Sequence, residues 1–372
     1  MVFAKKIKNL VMVKLRTNLN RSGNKEGRTL ILGAYGFGNM GDEAILQGIL
    51  EEMNNKEHVD VVSATPRETE TLHRVRAISM KQINSTKYST VILGGGGYRS
   101  GNYKNPVEIC LRLKEKGAKV IIRAIGPTPE VAGKEDFNPD ELGVKEKALL
   151  KEIVKKADYF SVRTHKDLER IKKYTNLDRE IKVETDPAYH ISFSREKGEE
   201  LLKNFDFSIK EKLCGISIAK FGYREGLKDF IENYKKDFTL IPIPMSRHYY
   251  AGFENDVILL KKYFKELKLL SKNTIKWMEY PFTPSELKSV LANLTYLITA
   301  RKHAVVLALG GGLNPQQILL LGTRESGMAE YFNVKEIDWR QWPRSPDGLG
   351  FMLAKKIINI KGYIEVVKKR WD

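Results

Sequence analysis

The chain has 372 residues, 42% of them hydrophobic and 30% charged, and carries a net charge of +18 at pH 7. At a prior of ~150 residues per domain this length implies two domains, and the composition excludes a disordered or fibrous chain. No apolar run approaches the ~18 residues that span a bilayer, so the positive charge is expected to meet nucleic acid, an anionic membrane surface or anionic small substrates.

Residues 1–28 hold eight Lys or Arg against one Glu, interleaved with Val2, Phe3, Ile7, Leu10, Val11, Val13 and Leu15. The pattern suits either a helix lying on a membrane or a solvated basic face. Its lysines interrupt any run long enough for a secretory signal, and the expected location is the cytoplasm, with peripheral contact at the inner membrane face. From Thr29 onward short β-rich runs alternate with helical patterns, which predicts a parallel sheet flanked by helices. Strands are expected at Thr29–Gly33, Val59–Ser63, Thr90–Leu93, Lys119–Ala124, Tyr159–Val162 and Ile181–Glu184, with helices starting near Asp42, Pro66, Asn105, Leu142 and His165. Cys110 and Cys214 sit in apolar runs at no metal-ligand spacing and are expected as buried thiols.

A polar helical stretch, Ser194–Lys212, is expected to link this unit to a second alternating series. That series reads strand Cys214–Ala219, helix Lys228–Lys235, strand Phe238–Ile243, helix Asp256–Leu270, strand Thr274–Glu279, helix Ser285–Ala292 and strand Tyr296–Thr299. A short helix from Lys302, a strand Gln317–Leu321 and a basic amphipathic helix over 351–372 complete it. The predicted fold class is α/β, two doubly wound Rossmann-like domains over 29–193 and 213–350 that face a cleft, the architecture called GT-B in glycosyltransferases.

The first βα loop contains Gly36-x-Gly38-x-x-Gly41, the spacing of a dinucleotide cradle. Such a cradle needs an acidic residue ending the next strand to hold the ribose, yet HVDVVSATP ends in Val62-Ser63-Ala64, with Asp60 in mid-strand. Asp42 and Glu43 also place two carboxylates at the helix N-terminus that would receive a pyrophosphate. The loop is therefore expected to be a ligand-facing turn of another kind. Asp42 can cap the helix and Glu43 suits its first turn.

GAYGFGNMGDEAILQGIL, Gly33–Leu50, resembles the opening of the polysaccharide pyruvyl transferase family. VILGGGG (Val91–Gly97), AIGP (Ala124–Pro127), SVRT (Ser161–Thr164), TDPAY (Thr185–Tyr189), ISIAKFG (Ile216–Gly222) and ARKHA (Ala300–Ala304) follow in the order of that family. The resemblance implies a GT-B-like fold with the acceptor on the first domain and the donor on the second. It implies transfer of the pyruvyl group of phosphoenolpyruvate to a sugar of a polysaccharide or its precursor, forming a ketal and releasing phosphate. Phosphoenolpyruvate is then the donor substrate, a glycan or lipid-linked sugar the acceptor, and neither a further cofactor nor a metal is expected.

Protonating the methylene carbon of phosphoenolpyruvate makes C2 oxocarbenium-like, so this chemistry calls for an acid, cations for the two anionic groups and a base for the hydroxyl. Arg301, Lys302 and His303 follow strand YLITA and open a short helix, where side chains and helix N–H groups would surround an anion. Arg301 can grip a carboxylate or phosphate with two parallel bonds. His303 is the candidate proton donor, with a satisfied buried histidine as the alternative. Arg247 and His248 are candidate phosphate or sugar contacts, and Arg163 either holds an anion or pairs with Asp167. Asn39, Asp42, Glu43, Gly95 and Gly96 are the acceptor-side candidates, Asp42 as base, with Tyr98 and Arg99 beyond the glycines. Lys302 departs from the family's apolar residue between Arg and His, and Arg324 stands near the place of a family Lys. Two other readings stay open: a nucleotide-sugar glycosyltransferase of the same fold, with Glu325 holding the ribose diol, and a nonenzymatic binder of anionic glycan or nucleic acid. No helix-turn-helix, zinc or aromatic RNA-binding signature accompanies the last, so nucleic acid is not the expected partner.

Overall fold

The computed structural model describes residues 27–53, 55–85, 88–95, 100–126, 144–219, 238–247, 255–322 and 327–338. Residues 1–26, the helix expected at Lys228–Lys235 and the basic helix expected over 351–372 lie outside the described residues. The chain forms two compact units divided between Ile191 and Ser192.

The first unit is a seven-stranded parallel sheet built from β1 (Arg28–Leu32), β2 (Val59–Val62), β3 (Arg76–Ile78), β4 (Tyr88–Gly94), β5 (Lys119–Ile125), β6 (Tyr159–Val162) and β7 (Lys182–Val183). Helices α1 (Met40–Glu51), α2 (Pro66–His73), α3 (Ser100–Glu115), α4 (Val144–Lys156) and α5 (His165–Thr175) alternate with these strands. The strands are near-continuous Val, Ile and Leu because both faces of a parallel sheet are covered. Leu30, Ile31, Val61, Val91, Val120 and Ile122 are all inaccessible to solvent, and each such side chain stabilises the fold by about 1.5–3 kcal/mol.

The edge strand β3 was not expected, since three residues carry no readable alternation. It is tied to the sheet through the mid-strand Asp60, which is fully buried. Asp60 accepts from Arg28 Nε and Tyr88 Oη at 2.9 Å each and from Arg76 Nη1 at 3.2 Å. A second buried network joins α1 to β5 and β7. Arg123 donates to Glu52 at 2.5 and 3.0 Å and to Glu184 at 2.9 Å. Burial works against the charge of Arg123, and the two carboxylates more than offset it, raising its pKa above the ordinary value.

The second unit is a five-stranded parallel sheet of β8 (Leu213–Ser217), β9 (Thr239–Pro242), β10 (Tyr296–Thr299), β11 (Ile318–Gly322) and β12 (Lys335–Asp338). Its described helices are α6 (Arg195–Asn204), α7 (Asp256–Glu266), α8 (Lys272–Glu279), α9 (Pro284–Leu291), α10 (Lys302–Gly310) and the short α11 (Met328–Tyr331). The segment expected as a linker is thus helix α6 and its tail, held on this unit. Asn293 Nδ2 donates to Arg195 O at 2.9 Å, and a side chain at Gly198 would strike the carbonyl of Ser289.

The strand expected at Thr274–Glu279 is instead helix α8. Ser271 and Thr274 form a reciprocal capping box that starts it, and the β-rich look of TIKWME comes from residues that pack rather than pair. Trp277 is fully buried, donates from Nε1 to Pro242 O at 2.7 Å, and meets the rings of Phe205, Phe207 and Phe282 edge-on.

Strand order places the functional loops. The first sheet runs β3-β2-β1-β4-β5-β6-β7, so its order reverses between β1 and β4; the second runs β12-β11-β10-β8-β9 and reverses between β8 and β10. In open α/β sheets the crevice at the carboxyl ends of the strands, at such a reversal, is where ligands bind.

Candidate functional site

At the reversal of the first sheet lies the loop Gly33–Asn39 that follows β1. The helix after it starts at Met40, and its cap is Asn39, whose Oδ1 accepts from Gly41 N at 3.0 Å. The expected capping role of Asp42 therefore belongs to Asn39, three residues earlier, and Asp42 sits in the first turn. Glu43 is 4% exposed. Its Oε1 accepts from Gly36 N at 2.8 Å, and its Oε2 lies 2.8 Å from His73 Nε2 on α2. Glu43 is thereby a brace for the glycine loop, tied to a histidine thirty residues away.

Gly36 has φ +77°, and a Cβ there would lie 2.0 Å from Ser63 Oγ. Thr65 Oγ1 donates to Gly36 O at 2.9 Å, and Ala64 N donates to Tyr35 O at 3.0 Å. The loop after β2, where a dinucleotide would place its ribose, is packed directly on the glycine turn. Gly95, at the end of β4, has φ +43° and donates to Arg123 O at 2.9 Å; a side chain there would meet Ile45. Further along the edge, Arg163 is 5% exposed, lies over Gly126 and faces Asp186 at 3.8 Å, where the sequence suggested Asp167. Asp186 also caps the 3-10 turn Pro187–His190 by accepting from Ala188 N at 3.0 Å.

At the reversal of the second sheet, β8 and β10 are paired with Ser217 opposite Thr299. The chain leaves β10 through Ala300 and Arg301 into α10, whose residues Ala304–Leu309 are buried on every side. An all-apolar helix of this kind is forced into the core, which fixes its N-terminus at the sheet edge. Arg301 is the N-cap residue, Lys302 the first helical residue, and His303 follows in the first turn. The three candidates are thus together at one helix N-terminus. Arg301 N donates to Thr299 Oγ1 at 2.8 Å. Its guanidinium is engaged by the fully buried Asp256, with Nε donating to Oδ2 at 3.1 Å and Nη2 to Oδ1.

Arg247 is bound to backbone carbonyls. It donates to the carbonyls of Met278 at 2.8 Å, Glu279 at 3.2 Å and Tyr280, closing the C-terminus of α8, where a cation suits the helix dipole. His248, Gly96 and Arg324, with Tyr98, Arg99 and Glu325, lie outside the described residues. Sequence reasoning missed His73 and Asp256 as partners of site residues. For Asp256 a signal existed: Asn255 before it is a better cap, which leaves the next carboxylate for another use.

Among the described residues no group of three His, Cys, Asp or Glu side chains is placed to hold a metal, and no helix is long and apolar enough to cross a membrane. Burial pushes the Cys214 thiol up to about 12 and raises that of Cys110 further.

A family model described as polysaccharide pyruvyl transferase matches residues 39–312, which begin at the cap Asn39 and include Asp42, Glu43 and the turn Arg301–His303. Comparison with curated proteins finds no match. Solved structures similar to this chain include MnaA of S. aureus with UDP, at 10% identity and a TM-score of 0.56 over 89% of this chain and 88% of that one. A glycosyltransferase from Rickettsia africae shares 13% identity, with a TM-score of 0.52 over 91% and 89% of the two chains. UDP-GlcNAc 2-epimerase from Neisseria meningitidis bound to UDP-GlcNAc shares 10%, with a TM-score of 0.51 over 90% and 93%. At these identities the likeness is one of fold, the GT-B-like pair of Rossmann-like domains. The chain belongs to the polysaccharide pyruvyl transferase family.

Proposed function

We propose that this member of the polysaccharide pyruvyl transferase family moves the pyruvyl group of phosphoenolpyruvate onto a sugar of a glycan or its lipid-linked precursor. The observation that carries the proposal is the gathering of Arg301, Lys302 and His303 at the N-terminus of α10, at the order reversal of the second sheet and within the span matched by the family. A helix N-terminus offers unpaired N–H groups and a positive dipole end to an anion, and the adjacent Arg and Lys add charge.

In the proposed reaction His303 protonates the methylene carbon of phosphoenolpyruvate, leaving C2 electron-poor. A sugar hydroxyl attacks C2 and loses its proton, for which Asp42 is the proposed acceptor. Phosphate then leaves with the C–O bonding pair, a second hydroxyl adds to the electron-poor carbon and gives its proton to the departed phosphate, and a pyruvate ketal remains. No electrons are exchanged with a cofactor, so phosphoenolpyruvate is the sole small-molecule partner in the proposal. A lipid-linked acceptor would bring the reaction to an anionic membrane surface, for which the basic segments 1–28 and 351–372 have the complementary charge.

The test is phosphate release from phosphoenolpyruvate in the presence of galactoside or mannosamine-containing acceptors. Release should depend on acceptor and fall at least ~100-fold with His303→Ala, as expected for loss of a general acid, and comparably with Arg301→Ala. Activity that survives both substitutions overturns the assignment. Thermal stabilisation by a nucleoside diphosphate and none by phosphoenolpyruvate would move the reading to a nucleotide-sugar donor.

A further inference from the structure

We infer that Asp256 is a positioning residue that holds Arg301 in the orientation needed to receive the donor's anionic group; this deepens the pyruvyl-transfer reading and rests on it. Asn255 caps α7 alone, accepting from Val257 N at 3.0 Å and Ile258 N at 3.4 Å. Asp256, the first residue of that helix and fully buried, turns its carboxylate away from the cap. Oδ2 accepts from Met245 N and Ser246 N, each at 3.0 Å, and from Arg301 Nε at 3.1 Å, while Oδ1 receives Arg301 Nη2.

A carboxylate withdrawn from water is costly unless its lone pairs are met. Here two backbone amides from the segment after β9 fix the carboxylate, and the carboxylate in turn fixes one edge of the guanidinium. The planar fork of Arg301 is left with a single orientation at the N-terminus of α10. An arginine already immobilised has less rotamer freedom to lose when a ligand arrives, a saving of about a factor of 3–10 in affinity per side chain. The carboxylate also opposes an approaching anion, so its net effect on affinity separates positioning from mere charge.

The experiment is calorimetric titration of phosphoenolpyruvate into wild type, Asp256→Asn, Arg301→Gln and the double variant. Asp256→Asn should weaken binding about three- to tenfold in the wild-type background and change it by less than about twofold in the Arg301→Gln background. Equal weakening in both backgrounds overturns the inference, because the residue then acts on the fold rather than through Arg301. Unchanged or tighter binding by Asp256→Asn overturns it as well, since the carboxylate would then act only as a repelling charge. Should Asp256→Asn fail to fold alone, the double variant lacks the uncompensated guanidinium, and its affinity against that of Arg301→Gln decides: equal supports, weaker overturns. Binding by wild type without acceptor-dependent phosphate release sinks the transfer reading and leaves this one standing, whereas absence of binding by wild type overturns both.

Discussion

Replacing Glu43 separates bracing from substrate contact at the glycine loop. Glu43 accepts from Gly36 N at 2.8 Å and meets His73 Nε2 at 2.8 Å, and its side chain is 6% exposed. Glu43→Ala leaves both groups buried without an acceptor, at about 1–3 kcal/mol each, for a loss of roughly 2–6 kcal/mol in all. Glu43→Gln keeps the bond to Gly36 through its carbonyl and can donate to His73 in the tautomer whose Nε2 accepts, so it should cost only about 1 kcal/mol. The assay is urea unfolding followed by far-UV circular dichroism. Tryptophan fluorescence is blind to the first unit, because Trp277, Trp339, Trp342 and Trp371 all follow Ile191. Hydrogen exchange should show the amides of Phe37–Gly41 opening faster in the Ala variant, since the loop has lost its anchor. An Ala variant within about 1 kcal/mol of wild type refutes the brace, and so does a Gln variant that keeps full stability but loses all transfer.

Ser217 Oγ is fully buried and finds no hydrogen-bond partner among the described residues, so Ser217→Ala should leave the melting temperature unchanged or raise it, by up to about 1–2 kcal/mol in stability; a fall of that size would show that the hydroxyl is used. The buried thiols of Cys110 and Cys214, held protonated by desolvation, should resist alkylation in the native protein at pH 8 and react on unfolding. Their raised folded values make this contribution to stability complete below the unfolded thiol value of ~8.5 and progressively lost as pH rises toward about 12. Tyr159, raised by burial and by Glu184, acts in the same direction, so unfolding midpoints that hold constant from pH 8 to pH 11 would contradict the assignment.

The parallel sheets were legible because their strands are continuous apolar runs separated by helical periodicity, a pattern that survives without knowledge of partners. What misled was local: TIKWME is rich in residues that favour strands, and only the aromatic pocket around Trp277 and the capping box at Ser271 decide for a helix. The charged candidates were harder for a different reason. Sequence identifies which side chains are able to hold an anion, but the groups that engage them come from far along the chain. Glu43 meets His73, Arg163 faces Asp186, Arg301 meets Asp256 and Arg247 closes a helix more than thirty residues away.

Strand order carries the remaining argument about the site. Alternating β and α elements announce a parallel sheet, yet every βα loop in such a pattern has equal claim to function until the order of strands is known. The reversals between β1 and β4 and between β8 and β10 single out two of them, the loop GAYGFGN and the turn ARKH. The first is held by internal bonds from Glu43 and Thr65, and the second by the buried carboxylate of Asp256. Loops that bind ligands gain when they are ordered before the ligand arrives, and in each unit the loop at the reversal is anchored by side chains from another segment of the chain. That shared anchoring, rather than the glycine spacing or the count of basic residues, is the physical reason to look for chemistry at these two places.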